Sequence, residues 1–378
     1  MTAAPAFHIH GARVLRPGGW DDGPIGVEDG LLTEGRPGRA LDLSGYWLLP
    51  GIVDPHGDGF ERHLAPRRGA LRDLGDGLAM AEAELAVNGI TTGVLAQFFS
   101  WEGGMRSPDF ATRLVEAHGQ MRPTLDLRLQ LRLETHLLAD FDRAARLVED
   151  HAIPYLVFND HIPHAALEKG RKPPRLTGQA LKSGRSPEAH LALLQDLHAR
   201  SPEVPNAIAA LVERLAPRGT RFGSHDDASA ADRRHWRALG AKIAEFPETA
   251  DAAAEAAAAG EPIVLGAPNV VRGSSHAGKV SARDLVAAGH CTALASDYHY
   301  PAPRQAALAL AEEIGIAPAW ALVSSGPAQL LGLTDRGQLA PGLRADMIAL
   351  DPATGRVAAT FAAGRPAWLS PQIATRLL

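Results

Sequence analysis

Five short stretches of this chain carry residues that could ligate a metal ion and move a proton. The first is His56-Gly57-Asp58, directly after the apolar run "YWLLPGIVDP" at residues 46–55. Side chains alternate along a strand, so residues 56 and 58 share a face and can share one ion. An isolated His-x-Asp is usually a core histidine beside a capping aspartate; the strand-like run before it argues for ligands instead. Glu134 closes "LDLRLQLRLE", and a carboxylate at a strand end can bridge two cations. An ion pair to Arg128 or Arg132 is its structural alternative. His161 in "NDHIP" offers an imidazole one residue past its run, with a plain loop histidine as the alternative. His225 in "FGSHDD" has Gly223 and Ser224 to clear space, and Asp226 and Asp227 read as outer partners or helix caps. Asp297 in "LASDYHY" could touch a metal and take a proton from water, which makes it the candidate catalytic base. Glu245 in "EFPE" has no assigned role, and His63, His164, His276 and His299 read individually as outer or surface residues.

A second constellation is cationic. Residues 168–185, "EKGRKPPRLTGQALKSGR", carry six Lys or Arg and one Glu. Such a run is ordinarily a solvated loop; following the fourth strand-like run, it could equally be a lid that attracts an anionic substrate. Arg62, Arg67 and Arg68 follow the first run. "GAPNVVRGSSHAGKV" adds Arg272, Ser274, Ser275, His276 and Lys279, where small residues expose backbone N–H groups to phosphate oxygens. The spacing is not that of a Walker A loop.

These residues need a scaffold that puts them together. Eight short apolar runs recur, at 48–55, 89–97, 125–134, 153–160, 220–226, 240–248, 261–269 and 291–298. Amphipathic stretches intervene, among them 76–87, 111–118, 140–150, 187–199 and the Ala-rich 249–260. Eight βα units predict an α/β fold, a parallel (β/α)₈ barrel of the TIM type, with a doubly wound open sheet as the alternative. The barrel requires catalytic groups at the C-terminal strand ends, and every candidate above ends or follows one of the runs. The flanks differ. Residues 1–49 and 338–378 read as short alternating strands between Gly and Pro, and predict one small β-sandwich domain built from both termini beside a barrel over 50–337.

The bulk composition narrows the partners. The 378 residues are 46% hydrophobic and 21% charged, with a net charge of −5, which gives no global attraction for nucleic acid or anionic membrane. No apolar run is long enough to span a bilayer, and no signal peptide is visible. The single cysteine, Cys291, excludes an internal disulfide and fits a reducing cytoplasm. Any attraction for anions must come from the local cationic clusters, which make an anionic small molecule the expected partner, with a homo-oligomer left open.

The motifs "YWLLPGIVDPHGD", "SDY" and "GQLAPGLRADMIALD" resemble the amidohydrolase superfamily, whose barrel is flanked by a β-sandwich from both termini. More narrowly, "NGITT", "RLE", "DHIP", "SHDDA", "IAEFPET", "GAPNVVRGSSHAG" and "SDYHYPA" are similar to alpha-D-ribose 1-methylphosphonate 5-triphosphate diphosphatases of the carbon–phosphorus lyase pathway. They run in order along nearly the whole chain. The resemblance implies two divalent ions, zinc first with Mn²⁺ or Fe²⁺ as alternatives, held by His56, Asp58, Glu134, His161, His225 and Asp297. It implies hydrolysis of a ribose 5-triphosphate to the 5-phosphate and pyrophosphate. The departure is "GFERHLAP" after Asp58, where the family has an Asn, a Leu and a downstream Trp-Pro. The rival expectation is a deacylase or C–N hydrolase of the same superfamily.

Overall fold

The computed structural model describes residues 5–67, 70, 73–273 and 280–377. Eight parallel strands form one sheet in chain order: β1 (Ile52–Gly57), β2 (Ile90–Phe99), β3 (Asp126–Glu134), β4 (Tyr155–Asn159), β5 (Arg221–His225), β6 (Ile243–Glu245), β7 (Ile263–Gly266) and β8 (Ala293–Ala295). A parallel bridge between Gly57 and Asp297 joins the first strand to the last, so the sheet closes into the expected barrel. Parallel strands covered on both faces need apolar side chains on both, and all ten residues of β2 are buried. The predicted helices are present as Leu74–Val87, Pro108–Gln120, Phe141–Asp150, Pro187–Ala199 and Ala250–Ala258. Their starts follow ordinary capping chemistry: Asp73, Ser107, Ser186 and Thr249 each accept an N–H of the first turn.

Both termini contribute to separate sheets. One has the strand order Leu31–Thr33, Ile25–Glu28, Phe7–His10, Arg39–Asp42. The other runs Arg365–Leu369, Val357–Ala362, Met347–Leu350, Trp47–Pro50, Arg13–Arg16, Gly19–Asp21. Trp47–Pro50 pairs antiparallel with Met347–Leu350, which stitches the two ends of the chain together. Their apolar faces share one core of Phe7, Ile9, Ile25, Val27, Leu41, Leu48, Met347 and Phe361.

The chain divides into two compact units, one of Met1–Leu95, Arg122–Arg128 and Val264–Leu378, the other of Ala96–Met121 and Leu129–Ile263. Three elements differ from the sequence reading. The run at 48–55 is two strands in two sheets, broken at Gly51, where a Cβ would lie 2.3 Å from the Thr91 hydroxyl. The run at 261–269 ends as a strand at Gly266 and turns into a short helix, Ala267–Arg272, with Pro268 in its first turn. Within the cationic segment, Leu176–Ser183 is helical and ends at Gly184 in left-handed conformation.

Candidate metal centre

The first unit contributes His56, Asp58 and Asp297. Their ligand atoms lie within 4.8 Å of one another, with His56 fully buried. The main chain fixes them: Asp297 N donates to His56 O at 3.0 Å, and Asp58 N donates to Asp297 O at 2.8 Å. The seam that closes the barrel therefore runs through the candidate ligands themselves. Gly57 is required between His56 and Asp58, because a Cβ there would meet Asp54 Oδ2 and Ser296 Oγ at 2.8 Å and the Tyr300 ring at 2.9 Å. Asp54 is itself buried, accepting from Ser296 N at 2.9 Å and from Ser296 Oγ at 2.6 Å. Burial pushes its carboxyl above the ordinary range against these bonds. Asp297 adopts a left-handed backbone with φ of 54°. Asp297 does not cap the next helix, Ala302–Ile314, whose N-cap position is Pro301.

The second unit contributes Glu134, His161, His225 and Glu245. Glu134 is fully buried, and the arginines of its own strand are engaged elsewhere: Arg128 pairs with Asp126, and Arg132 Nη2 lies 3.0 Å from His225 Nε2. Glu134 Oε2 accepts from the Trp101 indole at 3.1 Å and from His161 N at 3.2 Å, while Oε1 meets His161 Nδ1. With Glu102 these form a second group whose ligand atoms lie within 4.8 Å. Burial works against charge on His161, but Glu134 prevails and holds its pKa above the usual value. His225 Nδ1 stands 2.9 Å from Asp226 Oδ2. Asp227 instead pairs with Arg233 at 3.0 Å, a fully buried guanidinium that also donates to Ser224 Oγ. Glu245 accepts from Tyr155 OH at 2.7 Å and Gln130 Nε2 at 2.8 Å.

Two features were absent from the sequence reading. Trp101 and Glu102 lie in the "SWEGG" turn after β2, where no periodicity marks them. Three of the six non-glycine residues with positive φ, among the described residues, follow barrel strands: Asp226, Phe246 and Asp297. Strained backbone of this kind gathers at functional sites.

The cationic candidates are only partly placed. Arg67 is exposed, and Arg272 lies against Tyr298 in the loop after β8, bonding its hydroxyl. Arg68, Ser274, Ser275, His276 and Lys279 lie outside the described residues. Arg185, at the end of the cationic segment, donates to Trp101 O at 2.9 Å, and Leu176 packs in the same cluster as Trp101. The segment is thereby anchored to the residue that holds Glu134.

Both donor sets suit divalent ions of the zinc and manganese kind, being imidazole and carboxylate mixtures at the mouths of strands. His56 with two aspartates is one such set, and Glu134, Glu102 and His161 another. The closed eight-stranded sheet, the sheets from both termini and these strand-end donors match the architecture that the sequence resemblance implies. The chain is 30% identical to the Alpha-D-ribose 1-methylphosphonate 5-triphosphate diphosphatase of Escherichia coli (strain K12) over 348 residues, covering 86% of this chain and 90% of the relative, and it belongs to the family of that relative. No profile of a known protein family matches the chain. Among solved structures, an amidohydrolase from an environmental sample of the Sargasso Sea superposes with a TM-score of 0.64 at 17% identity, over 97% of this chain and 93% of the other. A beta-aspartyl dipeptidase from Fervidobacterium islandicum AW-1 gives 0.63 at 13%, over 96% and 97%. These two share the fold. Among the described residues, no helix is long and apolar enough to cross a membrane.

Proposed function

We propose that the chain is a metal-dependent hydrolase of a phosphoanhydride, converting alpha-D-ribose 1-methylphosphonate 5-triphosphate to the 5-phosphate and pyrophosphate in phosphonate breakdown. The observation that carries the proposal is the convergence of His56, Asp58 and Asp297 at the barrel seam, in a chain related along nearly its whole length to a diphosphatase. The residues proposed to hold two divalent ions are His56, Asp58, Glu134, His161, His225 and Asp297, each at or just beyond the C-terminal end of a barrel strand. When bound, such ions bring the pKa of a water to about 7 and neutralise phosphate charge. Asp297 accepts the proton of the attacking water, its backbone held by the seam hydrogen bonds so that the carboxylate is left to chemistry. Glu134 keeps its orientation through Trp101 and His161. Arg67 and Arg272, with Ser274, Ser275, His276 and Lys279, bind the phosphate oxygens and compensate the charge that builds on departing pyrophosphate. The segment 168–185 draws the polyanion toward the site.

The test is a pyrophosphate assay on ribose and nucleoside triphosphates, with and without added Zn²⁺ or Mn²⁺. Metal-stimulated pyrophosphate release with a preference for the ribose phosphonate is expected. Release of orthophosphate alone, or hydrolysis confined to amide and other C–N substrates, would sink the reading.

A further inference from the structure

A second group of imidazoles shares a cavity with two of the proposed ligands, His161 and His225. In the second unit, this cavity of about 570 Å³ beside the ends of β4 and β5 is lined by His136, Asp160, His164, His198 and Ser201, among others. The proposed reaction uses none of these five.

Their hydrogen bonds constrain the protons. Ser201 Oγ donates to His198 O at 2.6 Å, so toward His136 Nε2, 3.0 Å away, it can only accept. The proton of His136 therefore sits on Nε2, and Nδ1 carries a lone pair. That lone pair accepts from the Thr135 hydroxyl at 3.2 Å and lies 3.5 Å from Asp160 Oδ1, so a cation between Nδ1 and Asp160 would replace the Thr135 bond. Asp160 Oδ1 also accepts from Ile162 N at 3.1 Å, which fixes the carboxylate, and Oδ2 is 3.0 Å from His164 Nε2. His164 Nδ1 and His198 Nδ1 stand 2.7 Å apart, a distance that demands one shared proton. With that proton on His164 Nδ1, donated to His198, His164 Nε2 presents a second lone pair to the same point. Two imidazole nitrogens and a carboxylate oxygen then converge, with ligand atoms within 4.8 Å of one another.

The geometry points to a third divalent-cation site, of the zinc and cobalt class, formed by His136 Nδ1, Asp160 and His164 Nε2. Three protein ligands leave the fourth tetrahedral position open to the cavity, for water or for an anionic oxygen. Ser201 and His198 hold the two rings by their remaining nitrogens, the outer-partner arrangement of metal-binding histidines. The site is distinct from the Glu134 group: His161, between Asp160 and His164 in sequence, turns its Nδ1 to Glu134 instead. The inference does not depend on the phosphoanhydride reading.

The experiment strips the full chain with chelator, dialyses it against Co²⁺, counts bound equivalents and records the visible spectrum of tetrahedral cobalt. Asp160→Asn and His164→Gln should each lose one equivalent and its absorption relative to wild type. His56→Gln should keep that equivalent while losing metal elsewhere. Equal stoichiometry and spectra in wild type, Asp160→Asn and His164→Gln would overturn the site and reduce the cluster to an ordinary Asp160–His164 ion pair. If either variant loses its circular-dichroism signature, His198→Gln decides: it should weaken cobalt affinity roughly tenfold, and unchanged affinity overturns the proposal. A wild type that binds only the equivalents His56→Gln removes would overturn this site and leave the proposed reaction standing.

Discussion

The two groups of candidate ligands are held by different means. At the barrel seam, His56, Asp58 and Asp297 are fixed by their own peptide groups, through two backbone hydrogen bonds. In the second unit, Glu134 and His161 are fixed by side chains, with the Trp101 indole and the His161 ring closing on one carboxylate. A main-chain lock leaves the carboxylates of Asp58 and Asp297 to chemistry and tolerates isosteric change in them. A side-chain lock spends part of the donor set on orientation and is vulnerable one residue away. The seam therefore suits the reacting group, and the Glu134 cluster suits a stationary ligand.

The largest effect expected is at Asp297. Asp297→Asn should lower pyrophosphate release roughly 10²–10⁴-fold. Its melting temperature should stay near wild type, because asparagine also tolerates the left-handed backbone. Near-normal turnover would remove the proton-accepting role and erase the functional half of the comparison. Gly57→Ala tests the seam itself: forcing a Cβ among Asp54, Ser296 and Tyr300 should cost about 1–3 kcal/mol of stability, read from denaturant midpoints, and should release metal. Wild-type stability would show that the seam has slack. Trp101→Phe keeps the ring and removes the donor to Glu134, at an expected cost of about 1.5 kcal/mol, the low end for a bond to a charged group. Metal retention at the seam with loss at Glu134 would sharpen the distinction; simultaneous loss from both would break it.

The smallest effect is a control at the opposite end of the strand that carries Glu134. Burial opposes charge on Asp126, yet Arg128 and Arg336 hold its carboxyl below the ordinary value. A depressed carboxylate adds stability above its unfolded pKa, near 3.8, and that contribution disappears as pH falls through the lower folded value. Asp126→Asn should flatten the acid limb of a melting-temperature profile below about pH 4 while leaving metal content alone. An unchanged acid limb would separate Asp126 from that role.

Much of the fold was legible because parallel barrel strands leave continuous apolar runs, and strand ends expose polar residues in register. His56, Asp58 and Asp297 could be read that way, since each ends or follows such a run. The break at Gly51 was not legible. It depends on Thr91, a residue 40 positions away whose side chain fills the space a Cβ would need. Trp101 and Glu102 were missed because a turn has no period to reveal which side chains point inward. The helix Leu176–Ser183 was hidden by the Pro, Gly and charges around it, and is held by Leu176 packing with Trp101, Leu194 and Leu197. The pairing of Asp227 with Arg233 was likewise invisible, since a buried guanidinium looks like a surface one in sequence.

The seam also has a consequence for how the molecule is made. Asp54 and Ser296, whose hydrogen bonds lie beside the His56–Asp297 contact, are 242 residues apart. A ribosome emits the first of these strands long before the last, so the Asp297 donor cannot join His56 and Asp58 until the eighth strand has emerged. Loop closure over such a separation is entropically expensive and slow relative to local helix formation. Completion of the candidate ligand set at the seam thus becomes a late event in synthesis, and a truncated chain ending before Asp297 would lack it.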